Sequence, residues 1–242
     1  MSFLPDYPGA IVVPAHPTNW RTYANVPKGF VLHTPEEPAD NNETTPYYFQ
    51  NPNLSASTHY YLDNDGDWYQ MVQEKFSPIA NGLKGKPCPS WANPAVNLNS
   101  QTLNIEMEGY AAGIAQTFIV GGPQFNSLVK WLRHRGAAYS IPLDREHIIG
   151  HYEVADNRSD PGTLNINTVV SDVQLALAPL EDDMKLIEIT GQATWALGEL
   201  GKRRLATTDE VKAYLKAGYT VVQVTQAEAD AIPDVALSHY KT

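Results

Sequence analysis

Through residues 1–180 the chain alternates short apolar runs with polar loops, interrupted by one long stretch of helical period. GFVLHT, Gly29 to Thr34, is an apolar run that ends in His33 and reads as a buried strand. In STHYYLDNDGDWYQMV, Ser57 to Val72, two aromatic, β-prone runs flank Asn64-Asp65-Gly66, which predicts a hairpin. TLNIEMEG, Thr102 to Gly109, alternates as a strand should, with Leu103 and Ile105 on one face and Asn104 and Glu106 on the other. From Pro123 to Tyr139 the period changes. Phe125, Leu128, Val129 and Leu132 fall at i, i+3, i+4 and i+7, an apolar helical stripe. Pro123 suits the first turn of that helix, and Gly136 is expected near its fraying end. A short strand over Glu146 to Gly150 then leads into His151, and LKGKPCPSWANPAVN, Leu83 to Asn97, reads as a Pro- and Asn-rich loop.

The pattern shifts at LALAPLEDDMK, where Pro179 and the acids Glu181, Asp182 and Asp183 predict a linker over 179–184. This divides the chain into a large domain, 1–178, and a small α+β unit, 185–242. In the small unit KLIEITG, ATWALG, KRRLA and YTVVQVT read as strands, DEVKAYLKAG as a helix stopped by Gly218, and AEADAIP as a last helical turn. No repeat with a period of 20–50 residues is present.

Composition narrows the class. With 43% hydrophobic and 18% charged residues, the 242-residue chain can bury a proper core. A formal charge of -10 argues against nucleic acid as a partner, because phosphate binding needs a basic surface. No apolar run approaches the ~18 residues of a membrane span. The N-terminal residues carry no basic region followed by an apolar core, so synthesis in the cytoplasm without a visible signal peptide is expected. The single cysteine, Cys88, rules out an internal disulfide and a Cys-rich zinc site, so any metal site must use His and carboxylates.

Three residues offer such a site: His33 at a strand end, His151 just after a strand, and Asp160 before Pro161. Two imidazoles, one carboxylate and an open fourth position form a normal ligand set for catalytic zinc. Strand ends are where side chains converge without disrupting a core, and Pro161 keeps Asp160 out of helix. The spacing alone leaves open whether these are ligands or ordinary strand-end side chains. His147, four residues before His151, reads as a packed or hydrogen-bonding neighbour.

The order of segments carries more. GFVLH, SASTHYYLDNDGDWYQ, LNIEMEG, the amphipathic helix and IIGHYEVADNRSDPG together resemble the zinc-dependent N-acetylmuramoyl-L-alanine amidases of the type-2 amidase and peptidoglycan-recognition superfamily, phage endolysins especially. The resemblance spans residues 28 to 165 and implies an α/β fold, a central mixed β-sheet flanked by helices, with a metal-binding groove on one side. It implies Zn2+ held by His33, His151 and Asp160, and Glu106 as the catalytic acid/base. Arg158 falls where the family often carries a lysine that stabilises the intermediate. The chain departs from the family at Asn104, where I-G-I-E is common, and at Asn81, where W-H-A-G carries its histidine. It departs again at Thr58, where some relatives have a catalytic tyrosine.

The implied reaction is hydrolysis of the bond between N-acetylmuramic acid and L-alanine in bacterial peptidoglycan, as a phage or prophage endolysin made in the host cytoplasm and acting on the wall. Such zinc would make water a usable nucleophile near neutral pH, Glu106 would move the proton, and the always-charged Arg158 would stabilise an oxyanion. Glu108, two residues on along the same strand, is the alternative base. His59, Asn81 and Trp91 are expected to contact substrate, with Tyr47, Tyr48 and Tyr61 as further aromatic surfaces for sugar or peptide; for Trp91 and the three tyrosines ordinary packing is the alternative. The rival readings are a non-catalytic peptidoglycan-binding protein and a zinc amidase cutting another amide of the stem peptide. For residues 185–242 the open roles are wall binding, packing on the catalytic domain and homodimer formation.

Overall fold

Six strands of the larger unit form one mixed sheet in the order β1-β5-β4-β7-β3-β8. They are β1 (Ile11–Val12), β3 (Gly29–His33), β4 (Tyr60–Leu62), β5 (Trp68–Gln70), β7 (Thr102–Met107) and β8 (Ile148–Gly150). β4, β7, β3 and β8 run parallel to one another, and β5 folds back antiparallel on β4 as the expected hairpin. β2 (Trp20–Ala24) and β6 (Phe76–Pro78) form a separate two-stranded ribbon. The computed structural model describes residues 3–38, 44–82 and 85–175, together with four strand segments near the C-terminus.

β3 lies between two parallel neighbours, and all five of its residues are buried, which is why its sequence is apolar on both faces. One face of the sheet carries Phe30, Leu32, Leu103, Ile105 and Tyr60 into the main core, where they meet α3 (Pro123–Tyr139) and α4 (Ile166–Leu175). The other face carries Val31, His33, Asn104 and Glu106 by strict alternation. That division of labour places chemistry on the side away from α3.

The helix occupies Pro123–Tyr139 as its period predicts, with Pro123 in the first turn. Phe125, Leu128 and Leu132 are buried. Trp131, outside the predicted stripe, is fully buried and stacks on Trp68 with ring centroids 5.1 Å apart. Gly136 does not end the helix. Ser140, in the left-handed region at φ 56°, caps it by donating its N–H to the Gly136 carbonyl. The Pro- and Asn-rich loop packs Trp91 and Ala92 against Val31, Ile149 and Val154.

Contacts divide the chain into two compact units, residues 1–177 and 178–242. In the second, β9 (Lys185–Ile189), β10 (Thr194–Gly198), β11 (Gly201–Arg204) and β12 (Val221–Val224) form a four-stranded sheet ordered β11-β10-β9-β12. All four expected strands are therefore present. The expected linker, the helix over 209–218 and the final helical turn lie outside the described residues. Among the described residues, no helix is long and apolar enough to cross a membrane.

Candidate active site

β3 and β7 pair in parallel with His33 opposite Glu106 and Val31 opposite Asn104. β8 lies on the other side of β3, and the chain leaves it at Gly150 directly into His151. His151 opens a 3-10 turn, and Tyr152 donates its N–H to the Asp160 carbonyl, closing the nine-residue excursion between the two side chains. Two glycines make this segment possible. Gly162 sits at φ 59° with its α-carbon against the Ala111 backbone, where a Cβ would lie 2.0 Å from the carbonyl oxygen. A Cβ on Gly150 would lie 2.6 Å from the Tyr152 ring and 2.7 Å from Pro161.

The excursion brings three polar atoms to one point. His33 Nδ1 lies 3.0 Å from His151 Nδ1 and 3.2 Å from Asp160 Oδ2, and the His151–Asp160 distance is 3.0 Å. Protons cannot satisfy all three edges of this triangle, since a carboxylate oxygen and two unprotonated ring nitrogens each present a lone pair. Ligands ~2.0–2.1 Å from a zinc ion at tetrahedral angles stand about 3.3 Å apart, so the donor set and its spacing both fit such an ion. Among the described residues these three form the one cluster of at least three His, Cys, Asp or Glu side chains able to hold a metal.

Electrostatics agrees with the geometry. Burial would raise the Asp160 carboxyl, but the neighbouring imidazoles of His151 and His33 hold it far below the ordinary carboxylate range. Burial opposes a charge on His33, yet Asp160 and Glu106 carry its pKa above the usual value. His151 moves the other way, lowered by burial and by the charge on His33 despite its own bond to Asp160.

Glu106 shares a cavity of about 310 Å³ with His33, His151, Arg158 and Asp160. Its Oε2 is buried with no hydrogen-bond partner, and burial pushes the carboxyl up to about 7, His33 opposing and Asp160 and Glu37 adding to the rise. A carboxyl poised near neutrality and aimed at a ligand triangle can accept a proton and return it. Glu108, the alternative base, is 1% exposed, and its Oε2 accepts from the Asn64 backbone N–H in the hairpin turn. That bond turns it away from the role considered for it.

Arg158 is exposed and lines both this cavity and an adjoining one of about 390 Å³. Asn81 lines the second cavity. It is 4% exposed, and neither its Oδ1 nor its Nδ2 has a partner. Its loop is pinned by Asn99 Oδ1, which accepts from the N–H groups of Asn81 at 2.7 Å and Ala80 at 3.3 Å. An unpaired buried amide at a cavity wall is costly unless a ligand or water completes it.

Two expected substrate contacts are not brought to the groove. His59 is fully buried, its Nδ1 accepting from Asn104 N–H at 3.1 Å and its Nε2 facing the Phe76 carbonyl at 3.1 Å. Burial drives its pKa down to about 3, so it is a neutral packing residue. Trp91 donates from Nε1 to the Glu146 carbonyl and stacks on His147 at 5.9 Å, which fixes it as the anchor of its loop. Tyr61 is also fully buried, whereas Tyr47 and Tyr48 are exposed and Tyr48 borders the 310 Å³ cavity. His147 pairs with Asp144 at 2.7 Å and takes no part in the triangle.

Asn104, where the chain departs from the family's I-G-I-E, also lies at the site. Its Oδ1 lies 3.2 Å from His33 Nε2. The signal was in the alternation, which puts Asn104 on the face of Glu106.

Comparison with known proteins gives this geometry its context. No curated protein matches the sequence significantly. The catalytic domain of XlyA aligns at 15% identity and a TM-score of 0.50, covering 68% of this chain and 98% of that one. A mutant endolysin from Bacillus subtilis aligns at 15% identity and 0.49, over 68% and 97%. The N-acetylmuramoyl-L-alanine amidase LysC from Clostridium intestinale aligns at 15% identity and 0.47, over 69% and 99%. The XlyA likeness supports the fold. A family model described as N-acetylmuramoyl-L-alanine amidase matches residues 23–163, which is more than half of the sequence and spans every residue of the triangle and Glu106. The chain belongs to the N-acetylmuramoyl-L-alanine amidase family and is an enzyme of that family.

Proposed function

We propose that this enzyme is a zinc-dependent amidase that cleaves the bond between N-acetylmuramic acid and L-alanine in bacterial peptidoglycan. The observation that carries the proposal is the triangle of His33, His151 and Asp160, with sides of 3.0–3.2 Å, opening into the same cavity as Glu106. His33, His151 and Asp160 would hold the ion. Zinc, when bound, supplies Lewis-acid polarisation of the amide carbonyl and makes water reactive near neutral pH.

The other roles belong to side chains. Glu106 takes the proton from the attacking water and hands it to the departing amine, so that the C–N bond breaks to a carboxylate and a free L-alanine amino group. Arg158, which lines the same cavity, would stabilise the developing oxyanion with its fixed charge. Asn81, with a free donor and a free acceptor, binds an amide of the substrate across the adjoining cavity. A role as phage or prophage endolysin, made in the host cytoplasm and acting on the wall, rests on the sequence resemblance. For residues 185–242 we propose wall binding, with homodimer formation as the competing outcome. Decoration of purified walls by the full chain but not by residues 1–178 supports the first, and a dimer that dissociates on the same truncation supports the second.

The deciding experiment digests purified peptidoglycan with and without a chelator and identifies products by mass. New L-alanine amino termini, a zinc content near one per chain and chelator sensitivity are expected. Binding to walls with no released amino terminus would make the protein a recognition module. Release of a different amino terminus would move the cut elsewhere in the stem peptide.

A further inference from the structure

Asn104 stands where the resembled family commonly has glycine, so this chain places a side chain beside His33 at that position. The residue is fully buried and clamped on all sides. Its backbone N–H donates to His59 Nδ1 at 3.1 Å, and its carbonyl accepts from Thr58 Oγ1 at 2.8 Å. Its side-chain Nδ2 donates to Thr102 Oγ1 at 3.1 Å. Thr102 Oγ1 in turn lies 3.0 Å from the Leu98 carbonyl. A carbonyl can only accept, so the Thr102 hydroxyl proton points at Leu98 and its lone pairs point at Asn104. The amide is thereby oriented, nitrogen toward Thr102 and oxygen toward His33.

An amide oxygen has no proton to give. The 3.2 Å contact between Asn104 Oδ1 and His33 Nε2 therefore requires the proton on Nε2. In neutral His33 the lone pair is then left on Nδ1, the atom 3.0 Å from His151 Nδ1 and 3.2 Å from Asp160 Oδ2. A histidine whose other nitrogen donates to a fixed acceptor has its tautomer and ring orientation set for a metal.

We infer that Asn104 is a positioning residue, which selects the Nε2–H tautomer of His33 and aims its Nδ1 lone pair at the ion. This rests on the proposed zinc reading for its consequence, though not for the tautomer itself. The Thr58, His59 and Thr102 contacts act through Asn104, holding the β7 backbone and the amide plane in place.

The test has two arms on the full-length protein. Long-range proton–nitrogen correlation spectra of protein with labelled histidine rings report which His33 nitrogen carries the proton, with His33→Gln identifying its signals. The zinc-free wild type, at a pH where the imidazoles are neutral, should show Nε2–H and a bare Nδ1. A proton on Nδ1 there overturns the inference, whatever the protein does with zinc. Zinc affinity is then measured by chelator competition. Asn104→Leu should weaken it ~10–100-fold, the range typical of an outer partner of a metal histidine. Asn104→Asp, which keeps an acceptor facing Nε2, should bind far more tightly than Asn104→Leu. Equal affinities in the wild type and Asn104→Leu also overturn it. If Asn104→Leu does not fold, the wild-type spectrum and the Asn104→Asp affinity still decide. A wild type that holds no zinc in these titrations removes the zinc reading while leaving the tautomer result intact.

Discussion

His33 and His59 are both buried histidines, and each touches Asn104. Around His59 the protein is closed: backbone groups from β7 and β6 meet both ring nitrogens, and no lone pair is left over. Around His33 it is open on one side: Asn104 meets Nε2, while Nδ1 faces another imidazole, a carboxylate and a cavity. The difference is one of accounting for nitrogens. A buried imidazole with two backbone partners is part of the scaffold, and one with a single partner and a neighbouring lone-pair cluster is equipped for a cation.

The most severe way to break this contrast is to remove a corner of the triangle. Asp160→Ala leaves two imidazoles 3.0 Å apart with no anion between them. Zinc content should fall from near one per chain to near zero, and wall hydrolysis should fall to the uncatalysed background. Retention of stoichiometric zinc by Asp160→Ala would place the ion elsewhere. Glu106→Gln is the next largest effect and separates holding from reacting. It keeps shape and hydrogen-bonding capacity but cannot take a proton, so turnover should drop ~10²–10⁴-fold while zinc content stays at the wild-type level. Loss of zinc in that variant would make Glu106 a ligand rather than an acid/base.

How much of this was legible beforehand differs between the two histidines. The triangle was readable because strand ends and a Pro-Gly turn leave signatures: GFVLH, then IGHYEVADNRSDPG. His59 was misjudged because its motif, SASTHYYLDNDG, marks a position in the fold and says nothing of whether the ring faces a groove or a backbone. Its partners, Asn104 and Phe76, lie 45 and 17 residues away, and only the parallel pairing of β4 with β7 brings the first of them into reach. For Trp91 the structure shows the packing alternative. This aromatic residue of a Pro-rich loop anchors the loop over β3 and β8. Trp131 shows the converse, a core residue missed because two pairs of apolar positions already satisfied the helical period.

His59→Leu attacks the closed side of the comparison. The substitution leaves the Asn104 N–H buried without an acceptor, which costs about 1–3 kcal/mol. Chemical unfolding should show that loss, while the folded variant still binds zinc at one per chain. A drop in zinc content with unchanged stability would instead put His59 in the site's machinery.

The smallest effect is also the most diagnostic, because it turns on sign. Burial holds the His59 pKa near 3 in the folded protein, whereas an unfolded histidine titrates near 6.5. Between those values the unfolded chain binds the proton and the folded chain does not, so stability falls as pH falls. His59's contribution is complete above about pH 6.5 and disappears progressively toward pH 3, at up to about 1.4 kcal/mol per pH unit. His33 shifts the opposite way, and its stabilisation fades as pH rises, but it is common to the wild type and to His59→Leu. It therefore cancels in the difference between them. With chelator present throughout, the stability gap between wild type and His59→Leu should narrow by about 1.6 kcal/mol from pH 6.5 to pH 5. A gap that is flat across this range would mean that His59 titrates freely in the folded protein, and the closed environment that separates it from His33 would not exist.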